Sequence, residues 1–465
     1  MKYFIETYGC QMNVHDSERM AGLLEQSGYD PATSDREADL VVVNTCSVRE
    51  RAEEKLYTRL GEIREMARET GRDPIVAVAG CVAQQEGGAL LTRSPGIIDL
   101  IVGTQRVKML PMLVAGQRED RRSPVIDVTT PYDEPSFPLG ITRRADSAKA
   151  YVTIIEGCND FCAFCVVPYT RGHERMRPKA EILREVADAA AGGRKEVQLL
   201  GQIVNHYQAP DDPTCDFPAL LEAVHEIRGI ERIRFASPHP RHTSDRLIAA
   251  VRDLPKVCKH LHLPVQSGSS RMLALMRRRY TRETYLGTLQ KIREAIPNVQ
   301  LSTDMIIGFP GETPADFEET LTLTEAARYH GMFSFKYSER PNTLAAKRLP
   351  DDVPEKEKTR RIVAVQQLQR RIQWGLHEQS VGCTVEVLVD HTSRRRAWEL
   401  SGRTGGNTVV NFPGDPNLVG RIVPVTIRRA GPNSVWGEMP DGAAPGAGMS
   451  PGVAARDAAT REVRP

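Results

Sequence analysis

YVTIIEGCNDFCAFC, residues 151–165, joins an apolar run to a loop that carries Cys158, Cys162 and Cys165. The run reads as a strand, and the loop after it delivers three thiols in quick succession. Thiolates at this spacing suit three irons of a cubane cluster and leave the fourth iron open to bind and reduce something. Structural zinc wants four ligands, commonly as two separated pairs. No fourth Cys or His stands at such spacing, since His173 and Cys215 lie too far along the chain. With Asn159 and Asp160 among them, the three cysteines are not core-like. A disulfide is set aside on compartment: the opening MKYFIETYGC has no apolar signal core, and no later run is long and apolar enough to span a bilayer.

Downstream, strand-like runs alternate with amphipathic ones. The strands read are 151–157, 196–202 (EVQLLGQ), 232–239 (RIRFASPH), 260–266 (HLHLPVQ), 301–309 (LSTDMIIGF) and 333–340 (FSFKYSER), with helical patterns between them. Such alternation predicts a parallel, barrel-like sheet ringed by helices, here a partial (β/α)6 barrel. Its site belongs at the carboxyl ends of the strands, where the three-cysteine loop falls.

Upstream, YFIETYGC, LVVVNTCSV and PIVAVAGC alternate with two helical patterns, and IIDLIVGT (97–104) adds another strand. This predicts an α/β domain with a doubly wound parallel sheet. Ligands gather beyond the carboxyl edge of such a sheet. Cys10, Cys46 and Cys81 each fall at that edge, on different strands, so they predict a second three-thiolate cluster. After the basic helical passage EKEKTRRIVAVQQLQRRIQWGLHEQ, short β runs marked by Gly, Pro and Asn turns predict a small β-barrel. The expected organisation is 1–118, a linker over 119–143, the barrel over 144–375, the small β-barrel over 376–440 and a disordered tail over 441–465.

The formal net charge of +2 argues neither for nor against nucleic acid, so local patches decide. Arg394, Arg395, Arg396 and Arg403, joined by Arg421, Arg428 and Arg429, make the small barrel basic and suit it to phosphate capture. Arg277, Arg278 and Arg279 extend the candidate track. Nine cysteines suit a reduced cytoplasmic protein; Cys215, Cys258 and Cys383, outside the two sets, read as incidental thiols.

The CxxxCxxC loop, the second cysteine set and the terminal barrel resemble the methylthiotransferases among the radical S-adenosylmethionine (SAM) enzymes, which end in a TRAM domain. The likeness runs to about Met439 through YGCQMNVHDSE, NTCSVRERAEEKLY, CAFCVVPYTRGHERMRP, HLPVQSGSS, STDMIIGFPGET and LSGRT. CQMN after the first cysteine resembles the tRNA-modifying branch, where the ribosomal-protein branch has a run of the kind CPKN. Two departures stand out. Ile203 occupies a usual Asn, and MRRRYT (276–281) replaces a usual Met-Asn-Arg-Gly run. Neither is expected to touch a cluster ligand.

The resemblance implies two [4Fe-4S] clusters, on Cys158, Cys162 and Cys165 and on Cys10, Cys46 and Cys81, with SAM as cosubstrate. One SAM would give a 5'-deoxyadenosyl radical and a second a methyl group, so that sulfur and methyl reach C2 of N6-dimethylallyladenosine at tRNA position 37. It implies SAM contacts from Gln202, Ser237 and Gln266 and from the backbone of Ile306 to Gly308. No catalytic residue beyond the cluster ligands is indicated. GFPGE reads equally as a tight turn, and Phe161 and Phe164 as shields or as packing. Partners implied are the tRNA anticodon loop, a flavodoxin- or ferredoxin-like electron donor and a sulfur donor, with no membrane and a monomeric chain. Sister activities on threonylcarbamoyl-adenosine or a ribosomal protein, and a non-catalytic iron–sulfur RNA-binding sensor, are the alternatives. A sensor has no need of a SAM-cleaving loop on a strand end.

Overall fold

The computed structural model describes residues 1–47, 50–130, 140–393, 396 and 398–440, without the side chains of residues 50–52. The expected tail over 441–465 lies outside the described residues.

Six parallel strands build the first sheet: β1 (Lys2–Tyr8), β2 (Asp30–Pro31), β3 (Leu40–Thr45), β4 (Ile75–Gly80), β5 (Leu100–Val102) and β6 (Val125–Asp127), in the order β2-β1-β3-β4-β5-β6. β3 and β4 are buried along their whole length because both faces are covered. Leu40 and Val42 pack into one core, and Val41 and Val43 into another on the opposite face. At roughly 1.5–3 kcal/mol per fully buried aliphatic side chain, this alternation holds the register. β6 lies inside the stretch expected to be linker over 119–143. Its three residues pair with β5 and hydrogen-bond through Val125 N–H to Asp99 O at 2.8 Å.

The second sheet system comprises β7 (Lys149–Thr153), β10 (Glu196–Leu200) and β11 (Arg232–Phe235), then β12 (His260–His262), β13 (Gln300–Ile307) and β14 (Gly331–Lys336). Two short strands, β8 (Ile155–Glu156) and β9 (Arg175–Met176), pair beside the cysteine loop. The halves β7-β10-β11 and β12-β13-β14 are both parallel, and a parallel bridge from Ile233 to Val257 joins them. The result is an open, six-stranded partial barrel whose first member, β7, leads into Cys158.

The helix Glu355–Glu378 lies against the β14 side and leads into the third unit. There β15 (Thr384–Thr392), β16 (Glu399–Thr404), β17 (Val409–Pro413), β18 (Ile422–Ala430) and β19 (Val435–Glu438) close a barrel in the order β15-β16-β17-β19-β18. Two arginines of β11 dock it. Arg232 donates to the carbonyls of Arg403 (2.7 Å) and Glu386 (3.0 Å), and Arg234 to those of Thr404 (2.6 Å) and Gly405 (3.1 Å). No helix among the described residues is long and apolar enough to cross a membrane.

Candidate active site

β1, β3 and β4 are neighbours, and each delivers its cysteine just past its carboxyl end. Thr45 pairs with Tyr8 and with Gly80, and Cys46 N–H bonds Tyr8 O at 2.9 Å, so the three chain ends are level. Gly80 has φ +91°, and a Cβ there would lie 2.2 Å from Asn44 Oδ1 and 2.7 Å from Thr45 O. Only glycine lets β4 turn so tightly into Cys81. Asn44 and Asn13 form the floor. Asn44 Nδ2 donates to Asn13 O (2.8 Å) and Ser17 Oγ (2.9 Å), and Cys10 Sγ donates to Asn13 Oδ1 at 3.3 Å. The Cys46 thiol, with Arg171 assisting against burial, holds Cys10 down to about 6. Burial pushes Cys81 up, with Arg171 opposing. Asn13 and Asn44 escaped the sequence reading, although YGCQMN and NTC place each beside a cysteine.

The second set is anchored differently. Cys158 N–H bonds Gly172 O at 3.1 Å, and Gly157 (φ +72°) turns so closely past His173 that a Cβ would sit 2.1 Å from its carbonyl oxygen. Cys165 N–H bonds Cys162 O at 3.0 Å, while Ala163 is held between Met276 O and Ala345 N–H. Burial first, and the neighbouring Cys162 among the lesser causes, pushes Cys158 and Cys165 up to about 12. Crowded, buried sulfurs of this kind need a cation to become thiolates.

Both sets suit a cluster held iron by iron. Among the described residues, no three His, Cys, Asp or Glu side chains converge on a point that one metal ion could fill. A cubane requires no such convergence, because each thiolate takes its own iron.

The two sets communicate through one short segment. Gly172 holds Cys158, and the adjoining Arg171 reaches Asp16 at 2.8 Å, from where its charge acts on Cys81 and Cys10. Thr104 and Gln105 of the first unit bond the carbonyls of Thr170 (2.6 Å) and Arg171 (2.8 Å). Arg19 meets Glu156 at 2.9 Å, and His15 meets Thr153 at 2.7 Å.

Profiles of three families match the chain: Uncharacterized protein family UPF0004 over residues 2–103, the Radical SAM superfamily over 152–324 and the TRAM domain over 378–439. Proteins named tRNA-2-methylthio-N(6)-dimethylallyladenosine synthase from Chromobacterium violaceum and Thiobacillus denitrificans are each 46% identical over 440 residues, covering 94% of this chain and 98% of theirs. The chain belongs to the tRNA-2-methylthio-N(6)-dimethylallyladenosine synthase family. Its fold is shared with the radical SAM methyltransferase TsrM from Kitasatospora setae, whose structure holds cobalamin and a [4Fe-4S] cluster (TM-score 0.56, 16% identity, 74% of this chain and 77% of that one).

In this member of the synthase family, the remaining candidates lie at the carboxyl ends of the barrel strands. Gln202 follows β10, and its Nε2 meets Met12 Sδ of the first unit at 2.9 Å. Ser237 (φ +57°) and Gln266 (φ +76°) are held in left-handed backbone, a strain that clusters at functional sites. The backbone donors of Ile306 and Gly308 are already spent, on Gln266 O (2.9 Å) and Glu312 Oε2 (3.1 Å). Any contact of this backbone with SAM therefore falls to its carbonyl oxygens. Glu312 is buried and paired with Arg361 at 2.7 Å, so GFPGE is a turn pinned by an ion pair. Phe161 is 40% exposed and edge-on to His173, whereas Phe164 packs with Phe309 and Tyr337.

One expectation about the sequence departures fails: Ile203 packs against Cys158 and Val167, and so touches a candidate ligand. In MRRRYT, Arg278, which keeps the Arg of the usual run, donates to Cys162 Sγ at 3.4 Å. Arg278 is buried and leaves the proposed RNA track, while Arg277 and Arg279 stay exposed. On the TRAM barrel, Arg394 and Arg395 lie outside the described residues. Arg396 is exposed, pairs with Glu399 at 2.9 Å and sits 5.6 Å over Trp398, itself 56% exposed. Arg403 is partly screened by Asp390 at 3.8 Å. Arg421, Arg428 and Arg429 are exposed; Cys215 and Cys258 are buried, and Cys383 is exposed.

Proposed function

We propose that this chain is a radical SAM methylthiotransferase that converts N6-dimethylallyladenosine at position 37 of tRNA to its 2-methylthio form, adding sulfur and a methyl group at adenine C2. The single observation that carries the proposal is the segment Arg171–Gly172, which holds Cys158 through its backbone and, through its side chain, pairs with Asp16 on the helix that Cys10 begins. An electron-delivering site and a sulfur-delivering site are thereby held against each other, as a reaction between a carbon radical and a sulfur requires.

Cys158, Cys162 and Cys165 are assigned to one [4Fe-4S] cluster and Cys10, Cys46 and Cys81 to the other. When bound, the first supplies the electron for SAM cleavage and the second an open iron that seats the sulfur. The rest of the work falls to the chain. Asn13 and Asn44 fix the loop of Cys10. Met12 and Gln202 span the two units at the rim, and Ser237 and Gln266, at the strand ends, are assigned to SAM. Relatives named for their tRNA product and the presence of a TRAM domain support RNA as substrate. A base splayed from a single-stranded loop is the form in which RNA can offer adenine C2 to groups at the strand ends. Arg396 with Trp398 and the neighbouring Arg421, Arg428 and Arg429 take the phosphates and stack on the RNA. A flavodoxin- or ferredoxin-like reductant, a separate sulfur donor, a monomeric state and the cytoplasm complete the proposal.

The test is nucleoside mass spectrometry of tRNA from a strain lacking the endogenous synthase and supplied with this gene. The methylthio nucleoside is expected with the wild-type chain, and only the dimethylallyl precursor with Cys10→Ala. Restoration of a methylthio threonylcarbamoyl-adenosine or a modified ribosomal protein instead would overturn the substrate assignment.

A further inference from the structure

Arg278 is 6% exposed, yet no carboxylate pairs with it among the described residues. Its Nη2 donates to Pro264 O (3.0 Å) and its Nε to Tyr280 Oη (3.0 Å), with the guanidinium 5.3 Å from the centre of the Tyr280 ring. Tyr280 Oη is held in turn by Val265 O at 2.9 Å. The remaining arm, Nη1, points at Cys162 Sγ at 3.4 Å. An isolated buried cation is costly, and the partners so far named are neutral, leaving this sulfur as its available anion. The backbone is bent to put it there. Arg277 (φ +59°) and Arg279 (φ +58°) flank it in left-handed conformation and point outward, and Met276 O accepts from Ala163 N–H inside the cysteine loop.

We infer that Arg278 is a positioning residue that sets the reduction potential of the cluster assigned to Cys158, Cys162 and Cys165, by donating a charge-assisted hydrogen bond to Cys162. The inference rests on that assignment. Three thiolates and a cubane carry net negative charge, and the added electron makes it more negative. A fixed guanidinium therefore stabilises the reduced state more than the oxidised one and raises the potential. A reductant of modest strength then suffices to start SAM cleavage.

The test uses the full chain, reconstituted with iron and sulfide without oxygen, as wild type, Arg278→Gln, Arg278→Lys and the exposed control Arg277→Gln. Iron content is measured first. The reduced-cluster paramagnetic resonance signal that changes on adding SAM is then followed against potential. Arg278→Gln is expected to keep its iron and lose at least tenfold in the reduction equilibrium, about 59 mV more negative for one electron. Arg278→Lys and Arg277→Gln are expected within threefold of wild type. Unchanged potential in Arg278→Gln, or equal shifts in the Gln and Lys variants, overturns the inference. If Arg278→Gln takes up no iron at these cysteines while Arg278→Lys does at wild-type potential, the charge is required even for assembly and the inference stands. Failure of both to assemble makes the residue merely structural and overturns it. Absence of a SAM-responsive signal in wild type would instead strike the cluster assignment itself.

Discussion

Arg171 Nη2 and Asp16 Oδ2 meet at 2.8 Å, each side chain under 10% exposed, one from the partial barrel and one from the first α/β unit. Asp16 sits on the helix that Cys10 begins, and Arg171 follows the loop that holds Cys158. The pair therefore fixes the distance between the two cysteine sets as well as joining two units. Removing only the arginine leaves a buried carboxylate whose remaining cation, Arg19, stands at 4.0 Å. Arg171→Leu is expected to destabilise the chain by roughly 3–5 kcal/mol, and adding Asp16→Leu to recover most of it. Urea unfolding of the two variants checks this, and equal losses in both would contradict it.

Gly80 has no room for a methyl group, since Asn44 Oδ1 and Thr45 O occupy the space. Gly80→Ala is expected to displace Cys81 and to remove roughly half of the iron bound after reconstitution, one cubane of two. The SAM-responsive signal is expected to survive. Iron assay and resonance spectra together separate this outcome from general unfolding, which would abolish both.

Glu18 gives a pH signature. It lies on the same helix as Asp16, hydrogen-bonded by Ala145 N–H at 3.3 Å, with its Oε2 buried and unpartnered. Burial pushes its carboxyl up to about 7, against the pull of Arg144, while Asp146 and Glu185 add to the rise. The folded chain thus holds a proton that the unfolded chain releases near the ordinary Glu value of about 4.3. This contribution to stability is complete below that value and is lost as pH rises through about 7. Glu18→Gln is expected to match wild type at acidic pH and to melt higher at pH 8, by roughly 1–3 kcal/mol. A variant that melts lower at pH 8 would contradict the assignment.

Arg279 carries a left-handed backbone, φ +58°, which glycine adopts without strain. Left-handed geometry costs an L-residue about 1–2 kcal/mol, of which glycine's extra chain entropy returns part. Arg279→Gly is expected to stabilise the chain by up to about 1 kcal/mol in thermal melts. Its pairing with Asp160 is long, 3.9 Å, and 56% of its side chain is exposed, so little is lost with it.

Much of this was legible in the chain itself. The six cysteines are separable from the other three because each set follows an apolar run, and a parallel sheet brings such run-ends to one edge. β6 was missed because three residues, Val125–Asp127, carry too little periodicity to separate a strand from the charged, proline-containing stretch around it. Arg278 was misread as surface charge for a different reason. Whether an arginine in MRRRYT turns in or out depends on the left-handed backbone at its two neighbours and on Pro264 and Tyr280, none of which a run of three like residues discloses. Arg171 and Asn44 likewise acquire meaning only from partners far away in the sequence.

The central claim is that each three-cysteine set holds its own cubane and that the two have different jobs. The most direct measurement is iron content with 5'-deoxyadenosine formation, on wild type, Cys158→Ala and Cys10→Ala after oxygen-free reconstitution. Wild type is predicted to bind about eight irons and to cleave SAM with dithionite. Cys10→Ala is predicted to cleave SAM still without adding sulfur, and Cys158→Ala to form no 5'-deoxyadenosine. A wild-type chain that takes up only one cubane, or a Cys10→Ala chain that still produces the methylthio nucleoside, would contradict the account.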